Sequence, residues 1–275
     1  MSDHGRLIEL QAPRPGEREV TLYVKGFLSR GEEADHFDAW LACHETLEET
    51  HGWGVHALGY HWPSGRFGAI PTAIGLAKGA YDVVRVLRNV RRAASLGHLG
   101  YWIGEKLVVA SALFVHQYWL AMRNARVFAD AHAVHLRQLA ERCERVRVVG
   151  HSLGCRQVIE AAARLAPEHR PHEIHLCAPA VREDEVADKL AGLAREATTV
   201  YFTEKDRVLD LGFTPLARGR ALGFAGPRGR YPGLTAVDAG DAFDFWVHRE
   251  YKNRFAQLVP KPVGQPPSVG TGASE

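Results

Sequence analysis

Residues 146–165, VRVVGHSLGCRQVIEAAARL, restrict the fold more than any other stretch of this chain. β-Branched residues run straight into Gly150-His151-Ser152-Leu153-Gly154. A helix-forming sequence starts at once, with Val158, Ile159, Ala162 and Leu165 on one face. A strand joined to a helix by so short a turn is the building unit of a parallel sheet, whose neighbouring strands need a crossover between them.

The rest of the chain has the same rhythm. EVTLYVKGF (19–27) is a buried-strand pattern, ADHFDAWLACHETLEET (34–50) has helical spacing, and GVHALGYHWPSG (54–65) is a strand stopped by Pro63 and Gly65. Residues 66–145 break the alternation with mainly helix-favouring sequence. Strands resume at 145–150, 172–180, 197–206 and 234–238, and WVHREYKNRFAQLV (246–259) reads as a last loop and helix. The expected class is α/β, a mostly parallel central sheet flanked by helices. The domain spans 19–259, with 66–145 a helical cap or lid inserted before the Ser152 strand. Residues 1–18 read as an N-terminal extension, and the Pro/Gly-rich 260–275 as a disordered tail.

Composition removes several classes. With 34 Lys+Arg against 32 Asp+Glu, the formal charge of +2 supplies no electrostatic footprint for nucleic acid. The four cysteines, Cys43, Cys143, Cys155 and Cys177, are scattered without metal-type spacing and read as reduced, buried side chains. His132 and His135 lack a third ligand, so no metal is expected. The first residues carry no apolar leader segment, and the expected location is cytoplasmic.

Gly150-x-Ser152-x-Gly154 has a mechanical meaning. A serine nucleophile must stand clear of the sheet on a sharp turn, and flanking glycines relieve the crowding between strand and helix. Serine alone is a weak nucleophile and needs a base and an orienting acid. On such a turn these follow in the order Ser…Asp/Glu…His. Only His169, His172, His175 and His248 come after Ser152, and the first three lie at or within the next strand. His248 remains. Asp206, where the 197–206 strand ends, is the first candidate for the acid; Asp210 and Asp238 are rivals, and each could equally be a turn or N-cap aspartate. Backbone N–H groups of Leu153 and Phe27 are the expected oxyanion donors, with Gly26 allowing close approach. His151 and Trp62 are candidates to shape the substrate pocket, Trp62 equally a packing residue.

Lys25-Gly26-Phe27, Gly150–Gly154, Asp206 and His248 together resemble the α/β-hydrolase superfamily, over most of residues 19–259. GHSLGCRQVIEAA, TEKDRVLD and WVHREY are more narrowly similar to a branch that includes the transmembrane and coiled-coil domain hydrolase-like proteins. The resemblance implies an α/β-hydrolase fold with Ser152 as nucleophile, Asp206 as orienter and His248 as base. It further implies ester hydrolysis through an acyl-enzyme, without metal or organic cofactor. Lys25 stands where many lipases and esterases have histidine; only the backbone is needed there.

The insertion would select the substrate, a small-molecule or lipidic ester. Its Gly75…Gly79 and Gly100…Gly104 pairs fit close helix packing, or a surface in peripheral contact with membrane. Two other functions stay open: acyl transfer by the same triad, and a non-catalytic binding or membrane-associated module that keeps the fold without the chemistry.

Overall fold

The computed structural model describes residues 5–27, 29, 32–65, 115–243 and 247–260. Among these, seven strands form one sheet: β1 (Arg6–Gln11), β2 (Glu19–Val24), β3 (Ala57–His61), β4 (Arg145–His151), β5 (Glu173–Cys177), β6 (Ala197–Phe202) and β7 (Leu234–Asp238), in the order β1-β3-β2-β4-β5-β6-β7. β1 runs antiparallel to β3, and every other pair is parallel. The architecture is α/β, as the alternation of elements predicts.

The central strands are buried along almost their whole length because both faces are covered. Val20, Leu22, Tyr23 and Val24 of β2, Val146, Val148 and Val149 of β4, and Ile174, Leu176 and Cys177 of β5 are all buried. Which face each helix covers follows from connection handedness. From β2 the chain moves outward to β3, but from β4 it moves the opposite way to β5. Right-handed crossovers in opposite directions put their helices on opposite faces. Hence α1 (Asp38–His51) lies on one side, with α2 (Ala129–Arg142) and α3 (Leu153–Ala162) together on the other. The last helix, α4 (Val247–Leu258), packs against α1, where Phe255 meets Trp40 at 6.1 Å and the Ala256 N–H donates to Cys43 Sγ at 3.1 Å. α1 ends at Gly52, whose φ of 66° takes the left-handed turn a side chain resists.

Two boundaries differ from the sequence reading. The stretch 1–18, read as an extension, contributes β1. Its Leu7, Ile8 and Leu10 are only partly buried, so a one-sided edge strand leaves a weak apolar signal. The cap, read as 66–145, has its last helix in the body of the domain. α2 is the crossover that carries the chain past β2, with His132 stacked on Tyr60 of β3 at 4.0 Å. Residues 66–114, most of the expected cap, lie outside the described residues, as does the expected tail beyond Pro260. Among the described residues, no helix is long and apolar enough to cross a membrane. Cys43, Cys155 and Cys177 are buried thiols, Cys143 is half-buried, and none is in a disulfide.

Candidate active site

The reversal of connection direction falls between the carboxyl ends of the adjacent strands β2 and β4. Open α/β sheets bind ligands at such switch points. Ser152 stands there. It follows β4 with φ 54° and ψ −124°, on the side of backbone space that a residue with a Cβ rarely adopts. Three hydrogen bonds enforce that conformation. The Ser152 N–H donates to Cys177 O at 2.9 Å, and its carbonyl accepts from Cys155 and Ala180 N–H, each at 3.1 Å.

The two motif glycines have steric causes. A Cβ on Gly154 would stand 2.5 Å from Val24 O and 2.6 Å from Lys25 O; one on Gly150 would crowd Val158 and the Cys155 backbone at 3.1–3.2 Å. Gly26 approaches from the loop after β2. A Cβ there would be 2.7 Å from Ser152 Cβ and 2.9 Å from His151 O. The loop after β2 therefore lies directly against the serine.

Ser152 Oγ is 2.9 Å from His248 Nε2, and His248 Nδ1 is 2.7 Å from Asp206 Oδ2. A carboxylate accepts, so Nδ1 carries the proton and Nε2 presents its lone pair to the hydroxyl. The Asp206 side chain is fully buried, while that of His248 keeps 12% exposure. Asp206 Oδ1 accepts the N–H groups of Val208 and Leu209 at 3.0 and 3.1 Å. One oxygen of Asp206 thus closes a local turn and the other meets the His248 ring. Of the rivals, Asp210 pairs with Arg207 at 3.1 Å and Asp238 accepts the Gly240 N–H at 2.9 Å in a local turn. The other late histidines are engaged elsewhere, His172 with Val146 N–H, His175 with Tyr201, and His169 near Glu141.

Phe27 follows Gly26 and stacks edge-on against Tyr118 at 5.8 Å; Leu153 is the first residue of α3, whose opening N–H groups have no partner within the helix. Trp62 is buried and donates its indole N–H to Lys25 O at 2.8 Å, so it braces the loop that carries Gly26. Lys25 Nζ reaches His36 O and lies over the Phe37 ring at 4.4 Å. Burial, with Lys252 nearby, lowers its pKa to about 8. His151 points at the backbone of His248, its Nε2 2.7 Å from that carbonyl. Nothing in the local sequence signals the bracing by Trp62 or this contact of His151, since both join segments far apart in the chain.

Among the described residues, Glu33, Asp35 and His36 bring three ligating atoms within 4.8 Å of one another. They lie in and beside the turn Ala34–Phe37, share no residue with the Ser152 cluster, and are in part already used, His36 Nδ1 accepting the Glu33 N–H at 3.3 Å. Of the histidine pair that lacks a third ligand, His132 stacks on Tyr60 and His135 Nε2 lies 3.3 Å from Gly5 O.

No protein-family model matches this chain, and no curated protein matches it.

Proposed function

We propose that the chain is a serine hydrolase with an α/β-hydrolase fold that cleaves a carboxylic ester through an acyl-enzyme. One observation carries the reading: a continuous hydrogen-bonded line from Ser152 Oγ through His248 to a buried Asp206, beginning at a serine with φ 54°. A turn aspartate and a surface histidine have no reason to converge on a strained serine, whereas nucleophilic catalysis requires it.

In this mechanism Ser152 Oγ attacks the ester carbonyl while His248 Nε2 takes its proton. The carbonyl oxygen becomes an oxyanion, held by the N–H groups of Leu153 and Phe27, each worth about 3 kcal/mol in the transition state. The imidazolium returns its proton to the leaving alcohol as the C–O bond breaks, and Ser152 keeps the acyl group. Water then attacks the acyl carbon, giving its proton to His248, and collapse releases the acid and restores Ser152. Asp206 holds the ring tautomer and offsets the imidazolium charge throughout. The substrate class is a small-molecule or lipidic ester.

Intact-mass measurement after incubation with a fluorophosphonate tests the assignment. A single adduct on the parent chain, absent from folded Ser152→Ala, is expected. A folded parent chain that takes no adduct over hours would sink the proposal.

A further inference from the structure

His151 and Ser152 are neighbours in the chain, and both side chains end on residue 248. Ser152 meets the His248 ring at Nε2, while His151 Nε2 lies 2.7 Å from the His248 carbonyl oxygen. A carbonyl only accepts, so His151 Nε2 carries a proton and donates it. The two imidazole rings sit 5.0 Å apart, inclined at 48°. Burial above all, with the His248 ring beside it, pushes the His151 pKa down to about 3, so its ring is neutral at ordinary pH.

His248 needs an anchor of this kind. It is the second residue of α4, and a helix's first turn lacks the full set of hydrogen bonds that stiffens its interior. Asp206 and Ser152 bond the ring of His248, whereas His151 bonds its main chain. The end of β4, by contrast, is rigid, being paired with β2 on one side and β5 on the other. His151 is fixed in turn by ring contacts to Trp40 at 6.1 Å and Tyr251 at 6.2 Å.

We propose that His151 is a positioning residue, whose Nε2–H ties the main chain of His248 to the strand end that carries Ser152 and so keeps base and nucleophile in register. The proposal rests on the reading of Ser152 and His248 as nucleophile and base. It changes the role of His151 from a lining of the substrate pocket to a clamp on the catalytic base.

The experiment compares the parent chain with His151→Phe and His151→Gln. Phenylalanine keeps the aromatic packing but has no N–H, whereas the Gln amide can place a donor near the Nε2 position. The readouts are the rate of Ser152 modification by a fluorophosphonate, kcat and KM on p-nitrophenyl butyrate, and the melting temperature. Misplacing a catalytic group by about 1 Å costs on the order of 100-fold. The expected result is a 10- to 100-fold slower modification and a similarly reduced kcat in His151→Phe, with KM and melting temperature near those of the parent and at least half the lost rate restored in His151→Gln. Unchanged modification and kcat in folded His151→Phe would overturn the clamp while leaving the hydrolase reading intact. So would a loss that follows melting temperature and is equal in both variants. A parent chain that fails to label removes the underlying reading and the clamp with it.

Discussion

Replacing Asp206 by asparagine should nearly abolish turnover while leaving the fold in place, and the geometry says why. Asp206 Oδ1 accepts two backbone N–H groups, from Val208 and Leu209, and an asparagine Oδ1 can accept both. That fixes the orientation of the amide and aims its NH₂ group at His248 Nδ1, where Oδ2 now accepts at 2.7 Å. Two donors cannot face each other, so the ring proton moves to Nε2. His248 then donates to Ser152 Oγ and can no longer take its proton. A wrong tautomer of this kind lowers kcat by about 10⁴-fold, which corresponds to about 5 kcal/mol of lost transition-state stabilisation. The melting temperature should change little, since both backbone bonds survive and a buried charge disappears. Fluorophosphonate modification rate and kcat/KM on p-nitrophenyl butyrate, with circular dichroism as the folding control, provide the test. Asp206→Asn activity within 10-fold of the parent would refute the tautomer argument. A dead Asp238→Asn beside an active Asp206→Asn would transfer the acid role to Asp238.

Three further outcomes follow from the same geometry. Ser152→Gly removes the Cβ from a backbone held at φ 54°, so it should abolish labelling yet raise stability by about 1 kcal/mol in urea denaturation; a destabilised variant would mean the turn stores no strain. Gly26→Ala puts a Cβ 2.7 Å from Ser152 Cβ, and kcat should fall about 100-fold or more in a protein that still folds, whereas near-parent kcat would show that the loop gives way at no cost. His132 is fully buried with neither ring nitrogen hydrogen-bonded, and its pKa is lowered to about 3, mainly by burial. The unfolded chain therefore binds a proton below pH 6.5 that the folded state refuses until about pH 3. Stability from this residue is complete above 6.5 and declines as the pH falls, by about 2 kcal/mol at pH 5. His132→Phe should be about 1–3 kcal/mol more stable at pH 7 and lose less on acidification. Parallel pH profiles of the urea midpoint for the two chains would contradict this.

Much of this was legible because it is local. The strand–GxSxG–helix join, the β-branched runs and the helical spacings each express a backbone preference spread over a few residues, and together they require an α/β chain with a mostly parallel sheet. His248 is singled out by counting: of the four histidines after Ser152, it alone lies beyond the 172–180 strand pattern and its approach. Asp206, Asp210 and Asp238 were not separable, because an aspartate leaving a strand has the same local chemistry at all three positions. Their separation depends on which carboxylate meets the His248 ring, and that is set by the packing of α4 against α1. β1 leaves little trace in the sequence because an edge strand covered on one side does not need a continuous apolar run.

By itself the sequence determined the class of the fold, the turn at Ser152, and the short list of partners that could serve it. Only the tertiary structure decided which aspartate joins the line, that Trp62 braces the Gly26 loop, and that His151 holds the carbonyl of His248. The division has a physical reason. Periodicity and glycine placement act within one element, whereas these contacts join segments 37 to 97 residues apart. Crossover direction and strand order bring such segments together, and no short stretch of sequence records either.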